Sequence, residues 1–178
     1  MRITISGPPG SGKTTVAREV ARTLGLELIL TGKIFRKQAE KAGMNVIEYN
    51  RLAEKDATID KKLDDEIIKI AKEKDDIVVE GRLAGQLLGR NGIESLKVFV
   101  TAPLKTRAER IARREKTKPE DELERLKSRE ESEKRRYIEF YGIDIDDISV
   151  YDLVIDSTDI SAHEVSEIIL REIGKMRA

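Results

Sequence analysis

A glycine-rich loop near the start of the chain carries the clearest chemical signal in the sequence. It fills every fixed position of the pattern G-x-x-x-x-G-K-[ST] with Gly7, Pro8, Pro9, Gly10, Ser11, Gly12, Lys13 and Thr14. Glycines let successive backbone N–H groups converge on phosphate oxygens, and a following helix presents its positive end to the same anion. The loop, with Thr15 next to it, therefore predicts a binding site for the phosphates of a nucleoside triphosphate.

Two side chains of this loop are suited to catalysis and to metal binding. Lys13 is expected to reach the β- and γ-phosphates, and Thr14 to place its hydroxyl on a magnesium ion that bridges phosphate oxygens. Glu80, at the end of a predicted strand, is expected to hold the same ion through water. The chain has no cysteine and one histidine, His163, so its metal ligands should be oxygen atoms.

Two arginines follow predicted strands at the edge where this loop should lie. The second strand is followed by Thr31, Gly32, Phe35 and Arg36, and the third strand by Gly81 and Arg82. The planar guanidinium group of arginine grips a phosphate at two points, so the two arginines predict a site for a second phosphate. Taken alone, each has a simpler explanation: an exposed surface position for Arg36 and a salt bridge for Arg82.

A strongly charged segment forms a third candidate region. Thirteen of the seventeen residues in 120–136 are charged, so the segment must be solvated or close over an anion. Arg129, Glu133 and Arg136 follow the spacing i, i+4, i+7 and therefore share one face of a helix. An exposed helix with internal ion pairs and a lid over phosphate both fit this pattern.

The elements that position these residues alternate between strands and helices. Short apolar segments at residues 3–6, 26–30, 77–80, 96–101 and 153–155 are separated by helical patterns, which predicts a parallel sheet covered on both faces. Ligands of such sheets bind beyond the carboxyl ends of the strands. Residues 31–75 and 116–140 are longer than plain crossovers, and we expect a mobile flap and a mobile lid there.

The length and the charge balance limit the other possibilities. The 178 residues fit one domain, and 34 basic against 34 acidic residues leave no net charge that would attract nucleic acid or membrane. The sequence has no apolar run long enough to span a bilayer, so we expect a cytoplasmic protein that works as a monomer on small molecules. Ser161 is a candidate N-cap for a final helix, and His163 is predicted to be structural.

Taken in order, these motifs resemble the cytidylate kinases of the P-loop nucleoside monophosphate kinase family, and most closely the short archaeal type. The resemblance covers nearly the whole chain. It implies an α/β P-loop kinase fold with a five-stranded parallel sheet, and transfer of the γ-phosphoryl group of MgATP to CMP or dCMP. It also implies that Arg129 and Arg136 clamp the transferring group, that Glu133 orients them, and that Arg110 stacks on the ATP adenine.

The chain departs from the bacterial members at two positions. Leu83 replaces an aspartate linked to cytosine recognition, and Glu80 stands where an aspartate is usual. The resemblance therefore does not identify the residue that recognises cytosine. The candidates within the flap are Asp60, Asp64 and Glu66.

Two other classes of protein fit part of the sequence. Adenylate, shikimate and dephospho-coenzyme A kinases share the phosphate loop but carry other sequence motifs after the second or third strand. A nucleotide-dependent assembly factor with slow hydrolysis would also need this loop.

Overall fold

A computed structural model describes residues 1–177 of the chain. Within this range the backbone forms five strands, β1 (Arg2–Ser6), β2 (Glu27–Leu30), β3 (Ile77–Glu80), β4 (Leu96–Thr101) and β5 (Leu153–Asp156). The helices are α1 (Lys13–Leu24), α2 (Thr31–Lys41), α3 (Val46–Ala53), α4 (Ala57–Glu73), α5 (Ala84–Arg90), α6 (Leu104–Glu115), α7 (Pro119–Tyr141) and α8 (Ala162–Arg177). All five predicted strands are confirmed, with their ends differing by at most one residue.

The five strands form one parallel sheet in the order β2-β3-β1-β4-β5. β1 occupies the centre, where Ile3 pairs with Val78 on one side and with Leu96 on the other. The chain order reverses at β1, so the loop that follows β1 lies at the switch point of the sheet, where ligands of such folds bind. The topology therefore places the glycine-rich loop at the expected position.

Helices cover the sheet on both faces, as predicted. On one face Val16 of α1 and Ile169 of α8 pack against β1 and β4 in a fully buried cluster. On the other face Ile67 of α4 and Leu88 of α5 pack against β3. Strands that are buried on both sides are predominantly apolar, which explains the nearly continuous apolar runs in the sequence.

The helix ends follow local signals. α1 stops at Gly25, whose φ of 67° is the left-handed conformation that ends helices. Ser161 caps α8 as predicted: its hydroxyl accepts from the Glu164 backbone N–H, while the Glu164 carboxylate accepts from the Ser161 N–H.

The flap, residues 31–75, consists of α2, α3 and α4 and has a small core of its own. Tyr49 and Ile59 are buried in it, and the ring of Phe35 packs 5.0 Å from that of Tyr49. This small core is separate from the cluster in which Ile67 and Ala71 of α4 pack against β3. The flap is therefore anchored to the sheet through α4, while α2 and α3 pack around a core of their own.

The lid, residues 116–140, is built around α7. Its inner side packs through Leu126 against Ala108 and Ile111 of α6, while most of its other residues are exposed. α7 is 23 residues long, but neither it nor any other helix in the described part of the chain is long and apolar enough to cross a membrane.

Candidate active site

The glycine-rich loop wraps the backbone tightly at the tip of β1. Gly10 and Gly12 have positive φ values of 82° and 89°. A Cβ atom on Gly10 would lie 2.8 Å from the carbonyl oxygen of Arg107, so this approach requires glycine. Gly12 precedes α1 without a side-chain cap, so no side chain competes for the N–H groups at the start of the helix, where an anion can bind.

Lys13 and Thr14 meet Glu80 beneath this loop. The Lys13 ammonium donates to the Pro8 carbonyl at 3.3 Å and lies 3.7 Å from a carboxylate oxygen of Glu80. The Thr14 hydroxyl donates to the other Glu80 oxygen at 3.3 Å. Burial lowers the pKa of Lys13, and the Glu80 carboxylate partly offsets that effect. A hydroxyl and a carboxylate side by side are the hard oxygen ligands that magnesium prefers.

The groups predicted for the second phosphate lie at the tips of β2 and β3. Thr31 packs directly over Gly81, where a Cβ atom would lie 2.5 Å from the Thr31 hydroxyl oxygen. Arg36, one turn into α2, is exposed, and its guanidinium group approaches Gly32. The contact between Thr31 and Gly81 brings the start of α2 next to Arg82, as the sequence predicts.

The lid reaches this edge through Glu133. This buried carboxylate accepts from Arg82 at 2.9 Å with one oxygen and from Arg129 at 2.7 Å with the other. Burial alone would raise the pKa of Glu133, but Arg129 and Arg82 outweigh it and hold the pKa below its usual range. Arg82 and Arg129 also act on the pKa of Lys13, so the three cations lie within electrostatic reach of one another.

One predicted contact of the lid is wrong. Glu133 orients Arg129 but not Arg136, which lies 2.9 Å from an oxygen of Asp60 on α4. Both Glu133 oxygens already accept from other arginines, and Arg136, which is mostly buried, pairs with Asp60 instead. The Asp60 oxygen and the Arg136 Nε form an ion pair whose angle falls short of a hydrogen bond, so both atoms lack a hydrogen-bond partner in the described chain.

Arg107 is a residue of the site that the sequence motifs above do not include. Its buried guanidinium group donates to the carbonyls of Ala102 and Pro9 and, at 2.6 Å, to Glu130 of the lid. It therefore ties the phosphate loop to α7. The signal was present in the sequence, because an arginine one turn into a helix that follows a strand tip faces the same edge as the loop.

Arg110 and His163 lie away from these contacts. The Arg110 guanidinium group donates to the Ser157 hydroxyl at 3.0 Å and to the carbonyls of Ser157 and Thr158, just after β5. These contacts place Arg110 beyond the end of β5, and they do not test whether it stacks on adenine. That role stays a prediction. His163 is exposed and pairs with Glu19 of α1, which fits the structural role predicted for it.

The three flap carboxylates have different surroundings. Glu66 is exposed and accepts from the Gln38 amide at 3.1 Å. Asp64 lies beside the Tyr141 hydroxyl, and burial raises its pKa to about 6. Asp60 is buried against the lid, and burial raises its pKa although Arg136 opposes the change.

Comparison with protein families gives one match over most of the chain. Residues 2–159 match the model of the cytidylate kinase-like family. The cytidylate kinase of Sulfurisphaera tokodaii is 44% identical over 178 residues, covering 100% of this chain and 98% of the relative. The cytidylate kinase of Archaeoglobus fulgidus is 46% identical over 173 residues, covering 97% and 94%.

Solved structures agree in fold at lower identity. An uncharacterised protein from Eubacterium ventriosum superposes with a TM-score of 0.74 at 21% identity, covering 98% of each chain. Shikimate kinase from Acinetobacter baumannii superposes with a TM-score of 0.63 at 19% identity, covering 98% of this chain and 93% of its own. These two likenesses support the P-loop kinase fold, and the family match with the archaeal relatives goes further: the chain belongs to the cytidylate kinase-like family.

Proposed function

We propose that the protein transfers the γ-phosphoryl group of MgATP to CMP or dCMP, giving ADP and CDP or dCDP. The observation that carries the proposal is the meeting of Lys13, Arg82 and Arg129 at one edge of the sheet, supplied by three separate elements. Adding phosphate to a nucleotide that already carries one brings two anions together, so cations from several directions are required.

The donor side would hold the triphosphate through the backbone of the glycine-rich loop and through Lys13. Thr14 and Glu80, whose oxygens lie 3.3 Å apart, would hold a magnesium ion brought by the nucleotide. Bound there, the ion would neutralise charge on the β- and γ-phosphates. A magnesium ion of this kind takes most of its ligands from phosphate and water, so few protein ligands are needed.

The acceptor side would hold the monophosphate between Arg36, Arg82 and Arg129. An oxygen of this phosphate attacks the γ-phosphorus in line as the bond to the β-phosphate oxygen breaks, and ADP leaves. The acceptor oxygen is already negative, so no general base and no covalent enzyme intermediate are needed. Glu133 holds two of the three arginines in place before the substrate arrives.

The relatives support the choice of cytosine nucleotides. Cytidylate kinases at 42% to 46% identity cover almost the whole chain, so the similarity includes the flap and the lid as well as the phosphate loop.

We further propose that the protein works as a monomer on free nucleotides in the cytoplasm, where both substrates occur.

A coupled assay of ADP release at fixed MgATP tests the proposal with five acceptors: CMP, dCMP, UMP, AMP and GMP. We expect CMP or dCMP to give the highest kcat/KM, UMP a lower value, and the purine nucleotides far lower values. AMP as the best acceptor would replace the cytidylate assignment by an adenylate one. ADP release that no acceptor increases would favour an assembly factor.

A further inference from the structure

One carboxylate of the lid lies between the donor side and the acceptor side of the site. Glu130, on α7, accepts from the Arg107 guanidinium group with both oxygens, at 2.6 and 3.3 Å. The oxygen at 2.6 Å also lies 4.0 Å from the Nη2 atom of Arg82. The ion pairs of Glu133, three residues farther along, are with Arg82 and Arg129, which both belong to the acceptor side. Glu130 therefore contacts an arginine on each side.

Arg107 connects this carboxylate to the phosphate loop. The Nη1 atom that donates to Glu130 also donates to the Pro9 carbonyl at 3.1 Å, while Nε donates to the Ala102 carbonyl at 2.8 Å. The loop backbone passes so close that a Cβ atom on Gly10 would lie 2.8 Å from the Arg107 carbonyl oxygen. The position of the Arg107 guanidinium group therefore depends on the loop on one side and on the lid on the other.

The apolar packing between α6 and α7 ends before this ion pair. The apolar cluster formed by Ala108 and Ile111 of α6 reaches Leu126 on α7, and Glu130 follows one turn later. The Arg107 side chain is 7% exposed and that of Glu130 is 24% exposed, so the contact is largely shielded from water. A shielded, two-pronged contact at this point fixes the direction in which the rest of α7 extends over the site.

We propose that Glu130 is a positioning residue that couples the binding of the two nucleotides, an inference that rests on the function proposed above. A nucleotide in the phosphate loop fixes the Pro9 carbonyl, and the Arg107 guanidinium group is then held in the orientation that binds Glu130. This contact in turn holds Arg129 of the same helix where the acceptor phosphate binds. The acceptor phosphate replaces the longer contact between Glu130 and Arg82, and the contact with Arg107 stays.

This coupling is positive and acts equally in both directions. A nucleotide in the loop tightens binding of the acceptor, and by linkage the acceptor tightens binding of the nucleotide in the loop by the same factor. A pair with a purely structural role would hold α7 against α6 whether or not either nucleotide is bound. It would leave the two affinities independent of each other.

MgADP is the probe for the donor side because it fills the phosphate loop without reacting. It has no γ-phosphoryl group, so it transfers nothing to CMP and sets no third phosphate against the acceptor phosphate. A change in the affinity for CMP on adding MgADP then passes mainly through the protein.

Titration calorimetry measures the Kd of CMP with and without saturating MgADP, in the parent and in Glu130→Gln. We expect MgADP to lower this Kd about fivefold or more in the parent and less than about twofold in E130Q. CMP alone should bind E130Q at least as tightly as the parent, because a carboxylate that competes for Arg82 has lost its charge. Both affinities belong to the folded protein, so a loss of stability alone leaves their ratio unchanged.

Glu124→Gln is the matched control. Glu124 is an exposed carboxylate on the same helix, where it pairs with Lys127 at 2.8 Å and contacts neither side of the site. E124Q removes the same charge from α7 and should keep the parent ratio.

Several results would overturn the inference. Full coupling in E130Q would do so, as would a parent that binds both nucleotides independently. A coupling lost equally in E124Q would assign it to the charge of the whole helix. Weaker CMP binding in E130Q by the same factor with and without MgADP would leave Glu130 a structural role. Each of these leaves the proposed function standing, whereas a parent that binds MgADP but no pyrimidine monophosphate would remove both.

Discussion

The two halves of the site are built in different ways. The donor half, residues 7–15 with Glu80, comes almost entirely from one continuous stretch, and it would contact phosphate mainly through backbone N–H groups. The acceptor half is assembled from α2, α4, the end of β3 and α7, and ion pairs such as those of Glu133 hold it together. A backbone cradle is fixed once the chain folds, whereas side-chain ion pairs can exchange partners when a phosphate arrives.

We therefore expect the carboxylates of the acceptor half to hold its arginines only until a phosphate binds. Glu133 and Glu130 contact the arginines Arg82, Arg129 and Arg107. Without them, the mostly buried guanidinium groups of Arg82 and Arg107 would lose their counterions at a high cost in free energy. A substrate phosphate would bring the same charge, so we expect ligand binding to replace some of these contacts without leaving an arginine unpaired.

The largest expected effect is in the donor half, on replacing Lys13 with alanine. Lys13 makes polar contacts with the loop and with Glu80 and packs in neither of the two cores that cover the sheet, so the fold should persist. We expect the loss of one preorganised cation to lower kcat by about 100- to 1,000-fold, or about 2.7 to 4 kcal/mol. Single-turnover kinetics with CMP would measure this, and circular dichroism would check the fold. A kcat within tenfold of the parent would contradict the role of Lys13.

The second effect is in the acceptor half, on replacing Glu133 with glutamine. The change removes the Glu133 charge from both Arg82 and Arg129, and Arg82, which is mostly buried, keeps a longer contact of 4.0 Å with Glu130. We expect the free energy of unfolding to fall by about 2 to 3 kcal/mol, less than for a fully buried pair because Arg129 is half exposed. Bound CMP and an ATP analogue should restore much of the loss, since phosphate supplies the missing charge.

Urea denaturation with and without the two nucleotides would measure both effects. Glu131→Gln, at the exposed neighbouring position, is the control and should change neither value appreciably. An E133Q protein that the nucleotides stabilise no more than the parent would show that Glu133 does not stand in for phosphate.

The same difference between the halves explains how much the sequence could predict. The phosphate loop, the five strands and the covering of both faces follow from local patterns, and all were predicted correctly. Arg82 and Arg129 are 47 positions apart in the sequence, and both contact Glu133. Their proximity was indicated because Arg82 follows a predicted strand tip and Arg129 lies on the predicted lid over the same edge of the sheet. The partner of Arg136 could not be predicted, because helical spacing places a residue on a face without saying which helix that face meets.

The third effect separates conformational strain from close packing in the donor half. Gly10 and Gly12 both have positive φ values, but a Cβ atom on Gly12 would meet nothing within 4 Å, whereas on Gly10 it would meet the backbone of Arg107. Gly12→Ala should therefore cost only the strain of the left-handed conformation, about 1 to 2 kcal/mol. Gly10→Ala should cost about 2 kcal/mol more, on the order of an overpacked core.

Thermal and urea unfolding of the two variants would measure this difference. G10A should also weaken the lid, because Arg107 binds Glu130, and this would appear as faster amide exchange in α7 than in G12A. Equal stabilities of the two variants would show that the loop can move away from Arg107. The backbone of the donor half would then be no more rigid than the ion pairs of the acceptor half.

The smallest effect concerns Asp64, a flap carboxylate outside the ion-paired network of Glu133. Burial raises its pKa from 3.8 to about 6, and the Tyr141 hydroxyl beside it opposes the rise only in part, since its geometry falls short of a hydrogen bond. A group whose pKa is raised by folding stabilises the folded state while it is protonated, and that contribution is lost as the pH rises through its folded pKa. Between about pH 4 and pH 6 the ionisation of Asp64 should therefore make the protein less stable.

Asp64→Asn removes this ionisation and should raise the free energy of unfolding at pH 8. The upper limit of the gain is about 3 kcal/mol, and we expect about 1 to 2 kcal/mol because the site is partly solvated and the contact with Tyr141 changes. The difference from the parent should largely vanish near pH 4, where the Asp64 carboxyl is protonated in the folded state and close to half protonated in the unfolded state. Urea titrations at pH 4 and pH 8 would measure it, with Asp65→Asn, an exposed neighbour that pairs with Lys61, as the control. A gain that is equal at the two pH values would mean that the amide packs better than the acid. Burial of the Asp64 carboxyl would then not oppose its ionisation.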